Sequence, residues 1–161
     1  MKYFFLLVIT GFFSVSFAQK TIIETGRPKP YIVRNAQEIA GKKFKIKYVY
    51  VAYNNDKQQL DSIRQNNEKT HTFLVKKYGE DWKQEIDKSI KNELENFGTF
   101  LGMMKKNNSI TDDNLVHFTK SNCGDKYVAE IYPAIEPENR SSQNLIKKIT
   151  LQQKEGKTVM K

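Results

Sequence analysis

The sequence predicts an α+β protein, a small and largely antiparallel sheet covered on one face by two helices joined by a tight turn. Three observations predict it. Lys43 to Tyr53 alternates at period two in β-branched and aromatic residues, the pattern of a strand. Trp82, Ile86, Ile90, Leu94, Phe97, Leu101 and Met104 recur at three- and four-residue spacing, the stripe of an amphipathic helix. Before that stripe, Lys76-Lys77-Tyr78-Gly79-Glu80-Asp81-Trp82 reads as the end of one helix, a glycine stop and the start of the next.

The chain of 161 residues opens on Lys2, an apolar run from Tyr3 to Phe17, and the small residues Ser16 and Ala18 around Phe17. These are the three parts of a secretory signal peptide cleaved near Ala18. The rival reading is a membrane anchor, but the run falls short of the roughly 20 residues that span a bilayer. The expected organisation is a signal peptide over 1–18, an irregular segment over 19–42 and one α+β domain over 43–161. Export to the periplasm or the exterior follows, with no membrane span in the mature chain.

Within 19–42, Thr21 to Glu24 suits a brief strand, and Gly26, Pro28 and Pro30 interrupt any helix. Asn35 is placed to cap a short helix through Ala40 that Gly41 ends. In the strand from Lys43, Phe44, Ile46, Tyr48, Tyr50 and Ala52 share one face, and Lys45, Lys47, Val49, Val51 and Tyr53 the other. Asn55 and Gln58 suggest a capping box for a helix reaching Tyr78, with Leu60, Ile63, Asn67, His71, Leu74 and Tyr78 on one stripe. That helix has no large apolar residue between Arg64 and Thr72, so a break near Asn66-Asn67 is an alternative.

At the joint, Lys76 and Lys77 oppose the negative end of the first helix dipole, Gly79 supplies a left-handed closure, and Asp81 with Gln84 caps the next helix. Tyr78 and Trp82 are expected to pack the corner. Residues 109–125 suit either a short helix from Thr111 or a strand from Leu115 to Thr119. Tyr127–Tyr132 and Leu145–Leu151 complete the expected sheet beside Lys43–Tyr53, and Lys154 to Lys157 suits a terminal hairpin arm.

The chemistry-bearing residues are few. One Cys, Cys123, forbids an internal disulfide. It reads as an inert thiol, an intermolecular bridge, or a nucleophile assisted by His117 or His71, in that order, because a nucleophilic thiol needs a base within reach. Two His and one Cys make no zinc-binding spacing, and no phosphate loop or calcium loop is present, so no cofactor or metal is expected. Glu93 and Glu95 fall on different sides of their helix and make no acid/base pair.

The chain carries 27 Lys+Arg against 18 Asp+Glu. Lys42, Lys43, Lys45 and Lys47 interleave with aromatics, a nucleic-acid cue, but on a strand those aromatics face away from the lysines. Export also argues against nucleic acid, and attraction to a protein or anionic polysaccharide of the cell envelope is the better reading. The expected function is a non-catalytic exported binding or envelope-associated protein, and the alternative is a small exported enzyme using Cys123 and His117.

Phe44-Lys45-Ile46-Lys47-Tyr48, together with Lys77-Tyr78-Gly79-Glu80-Asp81-Trp82, resembles a family of small bacterial exported proteins with a Phe-Glu-Lys-Lys-Tyr (FEKKY) domain. Phe44, Lys47 and Tyr48 match that motif, and Lys45 and Ile46 depart from it. The resemblance covers about residues 43–95. It implies an exported compartment and a fold unit, and no activity.

Overall fold

A computed structural model describes residues 19–52, 56–121, 126–154 and 157–160. The fold is α+β, and it holds two sheets rather than one. Strand β1 (Lys20–Gly26) leads through helix α1 (Tyr31–Phe44) to strand β2 (Ile46–Ala52). Helices α2 (Lys57–Tyr78) and α3 (Trp82–Lys106) follow. Strands β3 (Leu115–Lys120), β4 (Lys126–Tyr132), β5 (Lys147–Lys154) and β6 (Lys157–Met160) form an antiparallel meander in that order.

The strand expected from Lys43 to Tyr53 does not join the antiparallel sheet. It starts at Ile46 and pairs in parallel with β1, from Lys20↔Ile46 to Gly26↔Ala52. Parallel neighbours need a crossover, and α1 is that crossover. The segment 19–42, expected to be irregular, is therefore the first half of a βαβ unit, and no boundary falls at residue 43. Pro30 stands at the N-cap of α1, where a missing N–H costs nothing. Gly41 does not end the helix. A Cβ on it would lie 2.6 Å from the Ile46 carbonyl oxygen, so glycine is there to let α1 approach β2. Lys45 alone turns the chain from helix to strand, in the left-handed region at φ 55°. The pentapeptide Phe44–Tyr48 thus straddles a helix end and a strand start.

Two apolar cores result. Ala36 and Ile39 of α1 and Phe97, Phe100 and Met104 of α3 cover the meander at Val116, Phe118, Tyr127, Ala129, Ile131, Ile149 and Leu151. Phe97 stacks on Phe118 with ring centroids 4.3 Å apart. The second core joins Ala40, Phe44, Ile46, Leu74, Trp82 and Ile86. The helices over the larger sheet are therefore α1 and α3, while α2 lies against β1. On α3 the buried stripe takes Phe100 where Leu101 was expected, and Leu101 is half-buried.

The edge strands explain several asparagines. Asn35 is buried inside α1 rather than capping it. Its amide donates to Phe118 O at 2.9 Å, and its oxygen accepts from Phe118 N at 2.7 Å. On α2, Asn67 accepts from Ile23 N at 2.9 Å and donates to Ile23 O at 2.8 Å. Asn66 and Thr70 both donate to Thr21 O. The polar middle of α2 thus takes the place of a third strand beside β1, and α2 runs through Asn66-Asn67 without a break.

The helix ends differ in part from expectation. Asp56 caps α2 by accepting from Gln58 N and Gln59 N, and Asn55 lies outside the described residues. Gly79 closes α2 at φ 89°. Asp81 occupies the N-cap of α3 but makes no side-chain cap bond, because φ −82°, ψ 0° is not the extended backbone that aims a carboxylate back at the helix. Asn107-Asn108 closes α3 in a Schellman arrangement, with Ser109 N on Met104 O and Asn108 N on Lys105 O. Of the two readings for 109–125 the strand is realised, after a tight turn at Thr111–Asn114.

Two substitutions test this account. Gly41→Ala should cost about 1–3 kcal/mol in urea unfolding, because the opposing atom is backbone and cannot swing away. Asn35→Ala strands a buried N–H and C=O on β3 and should cost about 2–4 kcal/mol by the same measurement.

Candidate functional site

The joint at Gly79 sets the site. Around it Phe44 meets Tyr78 edge-on at 5.3 Å, His71 meets Trp82 edge-on at 5.6 Å, and Leu74 is fully buried. Trp82 is 5% exposed and Tyr78 half-buried. Away from this corner α2 is held by its bonds to β1, and α3 by the larger sheet. Between β1, the first half of α2 and the start of α3 lies a cavity of about 920 Å³. Its walls are Ile22 of β1, Tyr48 of β2, Leu60 and Ile63 of α2, and Trp82, Ile86 and Ile90 of α3.

Charged groups surround these walls. Glu24 pairs with Lys29 at 2.6 Å and accepts from Gln37 at 2.9 Å. Arg64 pairs with Asp61 and Glu68 on its own helix. Lys83, Asp87 and His71 complete the lining. Burial pushes the Tyr48 phenol well above its ordinary range, and the charges of Glu24 and Asp87 add to the shift. Tyr48 also borders a second cavity of about 500 Å³, lined by Tyr31, Arg34, Lys42 and Arg140.

His117 is not beside the larger cavity. It is a buried residue of β3, with Nδ1 2.7 Å from Tyr31 Oη. Burial holds the His117 imidazole below its ordinary value, and Arg140 pushes the same way. Burial also pushes Tyr31 up to about 12. Arg34 and Arg140 lie against the Tyr31 ring, at 5.7 and 5.4 Å, and Arg34 reaches Glu138 at 3.2 Å. This group ties α1 to β3 and to the loop before β5. Cys123 lies outside the described residues, as does the segment 1–18. His71 faces Trp82 across the corner and makes no part of a cluster with His117.

The sequence reading missed Glu93. It is 4% exposed, accepts from Lys120 Nζ at 2.6 Å and from Tyr127 Oη at 2.7 Å, and seals the end of the larger core. Burial alone would lower Lys120, but its bonds to Glu93 and Tyr127 leave it raised. The signal was present, since Glu93 sits between Ile90 and Phe97 on the buried stripe itself. Its oxygens are occupied by these partners, so it stands as a structural pair.

Among the described residues no group of three or more His, Cys, Asp and Glu side chains could hold a metal, and no helix is long and apolar enough to cross a membrane. No family model, curated protein or solved structure matches the chain.

The His117 site predicts a pH dependence. The imidazole titrates lower in the folded chain than its ordinary 6.5, so the unfolded chain takes up the proton first and stability is lost as pH falls through that value. Glu130, lowered chiefly by its bond to Lys148, acts only further down, below 4.5. The urea midpoint should therefore drop between about pH 7 and about pH 5, and His117→Gln should remove most of that slope. An unchanged slope in the variant would assign it to another group.

Proposed function

We propose that this protein is an exported, non-catalytic binding protein whose ligand site is the cavity between β1, α2 and α3. The observation that carries the reading is the cavity itself. Its volume of about 920 Å³ lies within the range of small-molecule sites, about 300–1,000 Å³, and aliphatic and aromatic walls stand among its charged and polar lining residues. Lys2, the apolar run Tyr3–Phe17 and Ser16-Phe17-Ala18 support export, and the likeness to FEKKY-type exported proteins supports the same compartment. The excess of 27 basic over 18 acidic residues supports residence near anionic polysaccharide or protein of the envelope.

Ile63 provides the test. It lines the cavity from α2 and is only half-buried, so Ile63→Phe fills the space with little demand on the core. A native mass spectrum of the protein recovered from the exported fraction should show a bound species that is absent from Ile63→Phe, with the same unfolding midpoint for the two proteins once freed of ligand. A bare mass for the wild type, or a bound species indifferent to the substitution, overturns the reading.

A further inference from the structure

The chemistry of the cavity narrows the ligand class. This step rests on the binding reading above. We infer that the cavity between β1, α2 and α3 takes an uncharged, mainly apolar small molecule carrying one hydrogen-bond acceptor, which Tyr48 Oη holds by donating to it.

The first argument is charge. The protein is strongly basic, yet the cavity is not. Glu24 and Lys29 neutralise each other, Arg64 is engaged by Asp61 and Glu68, and the remaining Lys83 and Asp87 have opposite signs. An anionic ligand would find no net positive field, and it would meet Glu24 and Asp87 close to Tyr48. A cation would have Asp87 alone, which stands one helical turn from the positive Lys83, since Glu24 already has Lys29 and Gln37. What remains is apolar wall, which rewards contact area rather than charge.

The second argument is hydrogen bonding. Two donors in that wall lack a partner among the described residues, Trp82 Nε1, which is shut away from the surface, and Tyr48 Oη. Tyr48 has no hydrogen-bond partner among the described residues, and the two carboxylates whose charge reaches its oxygen both line the cavity. Burial first, and those charges after it, keep the phenol protonated, so it is a donor at neutral pH. A half-buried donor in an apolar wall selects a ligand acceptor, because a ligand without one would leave the hydroxyl unpaired. The smaller cavity beyond Tyr48 is lined by charged groups of both signs, among them Arg34, Lys47 and Arg140 with Glu38 and Glu138, and suits a more polar ligand.

Trp82 reports binding. It is the only tryptophan of the chain and lines the cavity, so energy transfer from it that the cavity-filling Ile63→Phe abolishes marks a dye bound there. The probes are prodan, which is uncharged and carries a ketone acceptor, and anilinonaphthalene sulfonate, of similar size but anionic. Prodan should quench Trp82 with an affinity at least ~10-fold tighter than the sulfonate, the scale expected for burying an unpaired charge against a neutral wall. Tyr48→Phe should weaken prodan by roughly 3- to 10-fold and shift its bound emission to the blue, as one lost hydrogen bond to the ketone requires. Asp87→Asn, at an exposed helix position, should narrow the gap by admitting the sulfonate. A sulfonate that binds as well as prodan overturns the ligand class and leaves the binding reading standing. Failure of both dyes to receive energy from Trp82 overturns the two together. An unchanged prodan affinity and emission in a folded Tyr48→Phe removes the role given to Tyr48.

Discussion

The structure depends on how its strand edges are satisfied. A strand at the edge of a sheet presents N–H and C=O groups that must find partners or water, and a buried edge left unpaired is costly. Here two helices supply those partners through side-chain amides. Asn35 of α1 bonds both backbone groups of Phe118 on β3, and Asn67 of α2 bonds both groups of Ile23 on β1. One carboxamide carries an acceptor and a donor about as far apart as those of a peptide, so it can stand in for a residue of a missing strand. These two contacts fix the position of α1 against the meander and of α2 against the parallel pair.

The remaining architecture follows from them. Among the described residues no strand of one sheet pairs with a strand of the other, and the helices α1 and α3 join the two by contributing to both cores. In α1 the same fourteen-residue helix places Ala36 and Ile39 over the meander and Ala40 and Phe44 over β2. Gly41 permits the second contact. In α3 Trp82 and Ile86 serve the smaller core, Phe97 to Met104 the larger, and Ile90 packs against both. A helix shared between two cores transmits disturbance from one to the other, since neither core can shift without moving its axis.

The cavity is a consequence of the same arrangement. The middle of α2 is polar because it faces a strand edge and not an apolar surface. A helix docked by amides has no large side chains at that level to close the space toward α3. The joint at Gly79 holds the two helices together only at their common corner, where Trp82, His71, Tyr78 and Phe44 meet. Beyond the corner, Ile63 on one side and Ile86 and Ile90 on the other face a volume that neither helix fills. The features that looked most like a motif in the sequence therefore shape a site without being its chemistry.

Much of the secondary structure was legible in the sequence, because periodicity is a local property. The stripe on α3, the closure at Gly79, the α2 termini near Asp56 and Tyr78, and the strands β4 and β5 are set by neighbours three or four residues away or fewer, and the α+β class follows from them, whereas β3 stood open between helix and strand. Helix α1 was legible only as a short piece from Asn35 to Ala40, because Pro30 and Gly41 read locally as breaks; one is a tolerated N-cap, and the other answers to a carbonyl five residues on, across the turn to β2. What only the tertiary structure decided is pairing. Nothing in Ile46–Ala52 says that its partner is β1 in parallel and not the antiparallel meander. Asn35 and Asn67 could be read as caps or breaks until their partners, 83 and 44 residues away, were in place. Glu93 of α3 likewise acquired its meaning from Lys120 on β3 and Tyr127 on β4. The physical reason is the same in each case. Apolar residues declare their burial by spacing alone, whereas a polar side chain is defined by the particular group that satisfies it.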